Sequence, residues 1–189
     1  MARSFAEIAF TPSVRAVQDR YGVGKARERF FSDGIDRRDT LTGEEASFIS
    51  ARDGFYLGTV GEDGWPYVQF RGEPKGFVHV LDERTIAWAD YRGNRQYLST
   101  GNLAANDRVS LFLMDYPNRR RLKLWGQARI VDAAYDPALL DRLFPAGYKA
   151  VPERVMLVTV AAFDWNCPQH IPQRLTQAEW EDLAAAADA

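Results

Sequence analysis

The sequence predicts an α+β chain that is mainly β with peripheral helices, its strands joined in succession as an antiparallel barrel. Three observations predict it. Runs rich in aromatic and β-branched residues recur from Phe55 onward, each bounded by turn residues. The runs pair through short loops, as hairpins do, and few helical segments intervene. Six or seven such strands also leave exposed edges unless the sheet curls on itself, and closure removes them.

The elements follow in order. Residues 1–40 form an N-terminal arm, in which glycines and alternating charges surround a short helix at Ser13–Tyr21; its low apolar content suits packing on a domain or a partner. Residues 41–175 form the barrel domain. Thr42 and Glu45 make a capping box, and Phe48 and Ile49 give the following helix, Gly43–Arg52, an apolar face. Phe55–Val60 and Pro66–Arg71 flank a Gly61-Glu62-Asp63-Gly64 turn, with Pro66 suited to a strand start. Phe77–Leu81 with Thr85–Asp90 make a second hairpin, and Arg108–Tyr116 with Arg121–Val131 a third around Pro117-Asn118. Asn94 is positioned to cap a helix at Arg95–Leu103, another helix is expected at Pro137–Phe144, and Val155–Phe163 is the last strand. Residues 176–189 form a C-terminal helix, opened by a Thr176/Glu179 capping box with Leu175 and Trp180 as its hydrophobic staple and fraying over Ala184–Ala189.

Composition narrows the function classes. The 24 basic and 26 acidic residues give a net charge of −2, with no overall field favouring nucleic acid or an anionic membrane, so any anion site must be local. The longest apolar runs are about half the length a bilayer span needs, and the first residues show no charged segment followed by an apolar stretch. A cytoplasmic, unexported protein without membrane or nucleic-acid partners is expected. A single cysteine, Cys167, and two histidines, His79 and His170, cannot build a Cys/His zinc site, so no metal is assigned and redox chemistry points to an organic cofactor, with oxygen-ligand metal sites left open. No Ser/His/Asp order, Walker loop or dinucleotide fingerprint is present.

The segment Trp88-Ala89-Asp90-Tyr91-Arg92-Gly93-Asn94-Arg95-Gln96 carries the most chemistry. A strand runs into a Gly-containing turn and then a helix start, where unpaired N–H groups, the helix dipole and the Arg95 fork can converge on a phosphate. The plain alternative is that Asn94 only caps a helix and the arginines are solvated. The Arg121–Val131 strand presents Arg121, Lys123, Trp125, Gln127 and Arg129 on one face and Leu122, Leu124, Ala128 and Ile130 on the other; Tyr67, Gln69 and Arg71, opposite Val68 and Phe70, repeat that arrangement. Two such strands suggest a shared site or a subunit interface, against the simpler reading of solvated strand faces. The Arg119–Arg121 run sits in a turn without a basic surround. His79 reads as structural, and Cys167 as a small packed residue. His170, between Pro168 and Pro172, is the side chain for which a catalytic role is considered.

These residues resemble the FMN-binding split-barrel proteins related to pyridoxamine 5'-phosphate oxidase, over roughly Leu41–Phe163. A narrower subgroup is marked by Phe10-Thr11-Pro12-Ser13-Val14, Gly64-Trp65-Pro66-Tyr67-Val68-Gln69, Arg92-Gly93-Asn94-Arg95-Gln96-Tyr97, Gly101-Asn102-Leu103, Asp115-Tyr116-Pro117 and Trp165-Asn166-Cys167-Pro168-Gln169-His170. The resemblance implies an antiparallel split β-barrel, FMN as cofactor, and a homodimer with two composite sites. It implies that Gln69, Arg71, Asn94, Arg95 and Gln96 hold the FMN phosphate and ribityl chain, that Ala89 and Asp90 adjoin it through backbone, and that Arg121 and Lys123 reach the flavin from the second subunit. It implies a flavin-dependent oxidoreductase with a small-molecule substrate and NADPH or NADH as possible donor; the alternatives are a flavin carrier or electron-transfer protein, or a barrel holding haem or a deazaflavin. One departure counts against vitamin-B6 phosphate oxidation: the authentic oxidases end in an Arg-Leu-His-Asp-Arg signature, and the nearest stretch here reads Arg174-Leu175-Thr176-Gln177-Ala178.

Overall fold

The computed structural model describes residues 4–32, 36–145, 147–165 and 167–187; Gly34, Asn166, Asp188 and Ala189 of the readings above lie outside them. Seven antiparallel strands form one sheet: β1 (Gly54–Val60), β2 (Pro66–Gly72), β3 (His79–Asp82), β4 (Thr85–Tyr91), β5 (Arg108–Asp115), β6 (Arg120–Asp132) and β7 (Pro152–Trp165). Their spatial order is β2-β1-β5-β6-β7-β4-β3, so the sheet coils into a barrel with β2 and β3 left as its two unpaired ends. The fold is a split barrel of α+β class. Closure, which the hairpin pattern suggests, stops short of a full ring.

The long central strands make the coil possible. β6 pairs with β5 through its first half and with β7 along most of its length, with a bulge at Trp125/Gly126. A bulge bends and twists a strand. Gly126 is needed there, because a Cβ would fall 2.5 Å from the carbonyl oxygen of Thr159. The barrel interior fills with Leu57, Leu111, Leu113, Leu122, Leu124 and Val158, and is closed toward the split by Phe55, whose ring packs edge-on against Trp88 at 5.0 Å and stacks with Phe77 at 5.8 Å.

The helices are peripheral. α1 (Ser4–Ala9), α2 (Pro12–Arg20) and α3 (Gly24–Glu28) precede α4 (Gly43–Ser50); α5 (Leu98–Ala105) lies between β4 and β5, α6 (Pro137–Leu143) between β6 and β7, and α7 (Gln177–Ala187) follows β7. The capping box of α4 is present. Its Glu45 is 4% exposed and accepts hydrogen bonds from Thr42 and, at 2.7 Å, from the indole of Trp165. Burial works to raise the Glu45 pKa, but those bonds hold it below the ordinary carboxylate value. The Thr176/Glu179 box also forms, and α7 continues through Ala187 into the tail assigned to fraying.

The arm lies partly on its own barrel. In α1, Ala6 and Ser4 are buried, and Phe5 stacks on Trp125 at 4.9 Å. Arg37 ties it down by bonding Ser4, Glu7 and Asp39. α2 and α3 bury no residue; Phe10, just before α2, and Phe30, just after α3, meet edge-on.

Candidate functional site

β2 alternates as expected, but in the opposite sense. Tyr67, Gln69 and Arg71 pair across to Thr59, Leu57 and Phe55, residues of the barrel interior. Val68 and Phe70 point outward, 62% and 60% exposed. The sequence pattern suggests the reverse, because an apolar set ordinarily packs inside. The physical reason is position: β2 is an end strand, and its inner face meets a polar cleft at the split rather than the core.

That cleft, about 240 Å³, is lined from three places in the chain: Tyr67, Gln69 and Arg71 of β2, the stretch from Asp90 to Thr100, and Arg154 of β7. Asp90 is 2% exposed and directly opposite Arg154 in the β4–β7 register. Its Oδ2 accepts from Arg154 Nε at 2.9 Å and lies 2.8 Å from Nη2, while its Oδ1 is 2.6 Å from Arg71 Nη1. The Arg71 Nε is buried without a hydrogen-bond partner, and so is Asp90 Oδ1, whose contact with Arg71 is an ion pair alone. Glu153 engages Arg92 at 2.9 Å, Arg154 at 3.0 Å and the Tyr97 hydroxyl at 3.1 Å. Burial opposes the charge on Arg154, but Asp90 and Glu153 raise its pKa above the usual guanidinium value. Four arginines thus line the cleft against the carboxylates of Asp90 and Glu153, an excess of positive charge suited to an anion. Arg95 has neither an ion pair nor a side-chain hydrogen bond among the described residues.

The turn differs from the expected cap. Gly93, Arg95 and Tyr97 all have positive φ, and α5 begins only at Leu98, with Tyr97 in the left-handed region at the cap position. Asn94 does not cap it: its Oδ1 accepts from the Gln96 N–H at 3.1 Å, closing a local turn. For Arg95 and Tyr97 this backbone costs on the order of 1 kcal/mol each, the kind of strain that gathers at binding sites. It brings the first turn of α5, with its unpaired amides, to the cleft at Leu98, Ser99 and Thr100. Ser99 donates to Gln69 Oε1 at 2.8 Å, and the Gln69 amide NH2 has no hydrogen-bond partner among the described residues.

Behind the cleft, the Tyr91 hydroxyl donates to Glu73 at 2.6 Å. Burial is the main reason that the Glu73 pKa is raised to about 7; Tyr91 and Arg71 pull it down and Asp90 adds to the rise.

Gln69, Arg71, Asp90, Asn94, Arg95 and Gln96 therefore line one cleft. Ala89 is buried behind it in β4. Arg121 and Lys123 are elsewhere: they share the outer face of the sheet, where Lys123 sits 4.6 Å over the Phe5 ring and 3.7 Å from Asp164, and Arg121 lies over Phe112. The strands carrying Arg71 and Arg121 do not build a common site within one chain, because these side chains occupy opposite faces. The outer face holds a separate apolar groove of about 700 Å³, bordered by Ile8, Tyr56, Val68, Phe112 and Trp125, and Tyr67 lines both it and the cleft. His170 is exposed, at positive φ, and outside both linings. Cys167 is exposed rather than packed. His79 is half-buried on β3, where burial chiefly lowers its pKa. Arg154 and Ser99 escape the sequence reading, and Tyr97 enters it only within a motif, without a site role; the Pro152-Glu153-Arg154 strand start carries no local signal that it faces the Trp88–Gln96 turn.

Among the described residues no helix is long and apolar enough to cross a membrane. The curated proteins provide no match. Among solved structures, the chain is similar to HupZ of Group A Streptococcus (18% identity, 71% of this chain and 99% of that one, TM-score 0.54). It is similar to an FMN-binding protein from Syntrophomonas wolfei (13% identity, 79% and 97%, TM-score 0.51) and to a putative pyridoxamine 5'-phosphate oxidase from Lactobacillus delbrueckii (19%, 67% and 94%, TM-score 0.50). At these identities the likeness establishes the fold. The family model for pyridoxamine 5'-phosphate oxidase matches residues 41–164, about two thirds of the sequence and nearly the whole barrel, so the chain belongs to the pyridoxamine 5'-phosphate oxidase-like family of FMN-binding split barrels.

Proposed function

We propose that the protein is a homodimeric, FMN-dependent oxidoreductase whose cleft between β2 and the β4–α5 turn receives the cofactor phosphate. The observation that carries this reading is the buried Arg71 Nε: a donor without a partner, in a cleft with excess guanidinium charge, fits a phosphate oxygen. Arg71 and Arg95 would hold the phosphate, with Arg154, the free Gln69 NH2 and the first-turn amides of α5 beside them. Asn94 and Gln96 shape the turn that brings Arg95 to the site.

The cleft's volume, about 240 Å³, falls below the ~300–1,000 Å³ of sites that enclose a cofactor-sized ligand. A second copy supplies the remainder in this reading. The outer face with Val68, Phe70 and Tyr56 exposed is the contact surface, and it carries Arg121 and Lys123 to the partner's flavin, where their charge would stabilise the reduced ring. Bound FMN supplies hydride or electron transfer at its isoalloxazine; the chain's residues position it and set its electrostatics. The substrate is a small molecule and the donor NADPH or NADH, in the cytoplasm. Vitamin-B6 phosphate oxidation is not proposed, because Thr176 and Ala178 stand where the oxidases have imidazole and guanidinium, and Arg174 is stacked on Tyr116 at 5.1 Å.

The test is the visible spectrum of purified protein, before and after adding FMN and then NADPH without air. Flavin bands that bleach quickly support the oxidoreductase. Bands that persist favour a carrier or another donor, a Soret band favours haem, and failure to take up FMN removes the proposal.

A further inference from the structure

We propose that Asp90 is a positioning residue for the anion site, joining Arg71 to Arg154 across the split of the barrel so that the site's geometry and the closure of the split are one event. The proposal rests on the cleft being an anion site and deepens that reading.

The sheet order sets β2 at one end and β4 beside the other, and no backbone hydrogen bond joins them. Side chains do. Arg71 reaches Asp90 at 2.6 Å, and just beyond that pair in both segments the Tyr91 hydroxyl reaches Glu73 at 2.6 Å. Both links cross the split at the cleft. A guanidinium ordinarily loses considerable rotamer freedom when fixed, and two beside each other repel. Asp90, buried and flanked by both, removes the repulsion, fixes the plane of Arg154 and anchors one end of Arg71. Arg154 is held through two nitrogens, whereas Arg71 is held by a terminal nitrogen alone, with its Nε left free.

A carboxylate beside an anion is repulsive on charge alone. Neutralising Asp90 would then tighten anion binding; if Asp90 positions the arginines, neutralising it weakens binding. The two roles predict opposite signs. Asp90→Asn retains the volume but points an NH2 at a guanidinium or leaves one fork unpaired.

The experiment titrates wild type, Asp90→Asn, Arg154→Lys and Arg95→Ala with FMN and, separately, with inorganic phosphate, and follows hydrogen exchange of β2 amides in the ligand-free proteins. Asp90→Asn is expected to weaken both ligands by roughly tenfold or more and to speed β2 exchange relative to β5. Arg154→Lys, which keeps the charge and loses the fork, is expected to weaken both as well. Arg95→Ala is expected to weaken binding with β2 exchange unchanged. Asp90→Asn that binds as tightly as wild type or tighter overturns the proposal, as does Arg154→Lys with wild-type affinity, and the latter decides the matter if Asp90→Asn does not fold. Wild type that binds phosphate but not FMN removes the flavin reading while the variants still test Asp90. Wild type that binds neither removes both.

Discussion

The two faces of β2 make contrasting surfaces from one short strand. The inner face, Tyr67, Gln69 and Arg71, is polar and borders a small cleft of fixed charge; the outer face, Val68 and Phe70, is apolar and open. In a strand of the sheet interior such a pattern would place a buried guanidinium in the core at a cost of several kcal/mol. At the end of a split sheet the inner face borders a polar cleft, and the outer one leaves Val68 and Phe70 exposed, the surface proposed for the dimer contact. Alternation thus defines two faces without saying which is inside. The contrast also separates two proposed chemistries: the inner face would bind through orientation of charge, the outer through removal of apolar area from water.

The contrast is broken most strongly at the outer face. In the proposed dimer, Val68→Glu is expected to cost about 4 kcal/mol of association, because a two-fold interface counts each substitution twice. Sedimentation velocity should show dimer for wild type and monomer for the variant, and a wild-type monomer removes the interface. On the inner face, Arg71→Ala leaves the buried Asp90 with Arg154 as its remaining ion-pair partner and is expected to lower unfolding free energy by about 3 kcal/mol, read by urea denaturation, with loss of FMN binding. Arg95→Ala sharpens the distinction between holding the ligand and holding the fold. FMN affinity should fall by about 1–3 kcal/mol while stability changes by less than about 0.5 kcal/mol; equal affinity in a flavin titration takes Arg95 out of the site.

The smallest effect concerns Glu73. Its pKa in the folded chain is raised from 4.5 to about 7, so folding favours the protonated form. That stabilisation is fully present below pH 4.5 and is lost as pH rises through about 7. Partial exposure and screening reduce it to the order of 1 kcal/mol. Glu73→Gln should flatten the pH dependence of stability across this window, and an unchanged slope would assign it to other groups.

Much of this was legible in the sequence because it is local. The Thr42/Glu45 and Thr176/Glu179 boxes need only a spacing of three, and the turn at Gly61–Gly64 needs only its own residues. That the stretch from Asp90 to Gln96 stands out was legible as well, through its Gly-Asn-Arg turn after an apolar strand, and the fold places it along the cleft. The start of α5 was not, because Asn94 bonds the Gln96 N–H as an N-cap would, while the positive φ of Arg95 and Tyr97 keeps that stretch out of the helix.

The sequence by itself determined the α+β class, the hairpins and a local arginine-rich turn. Only the tertiary structure decided that Arg154, remote in sequence, stands opposite Asp90, that β2 faces its polar side inward, and that Arg71 and Arg121 lie on opposite faces. The reason is range. Caps and turns are set by atoms a few residues apart, whereas strand order, and with it the place where a barrel stays open, comes from the burial of the whole core.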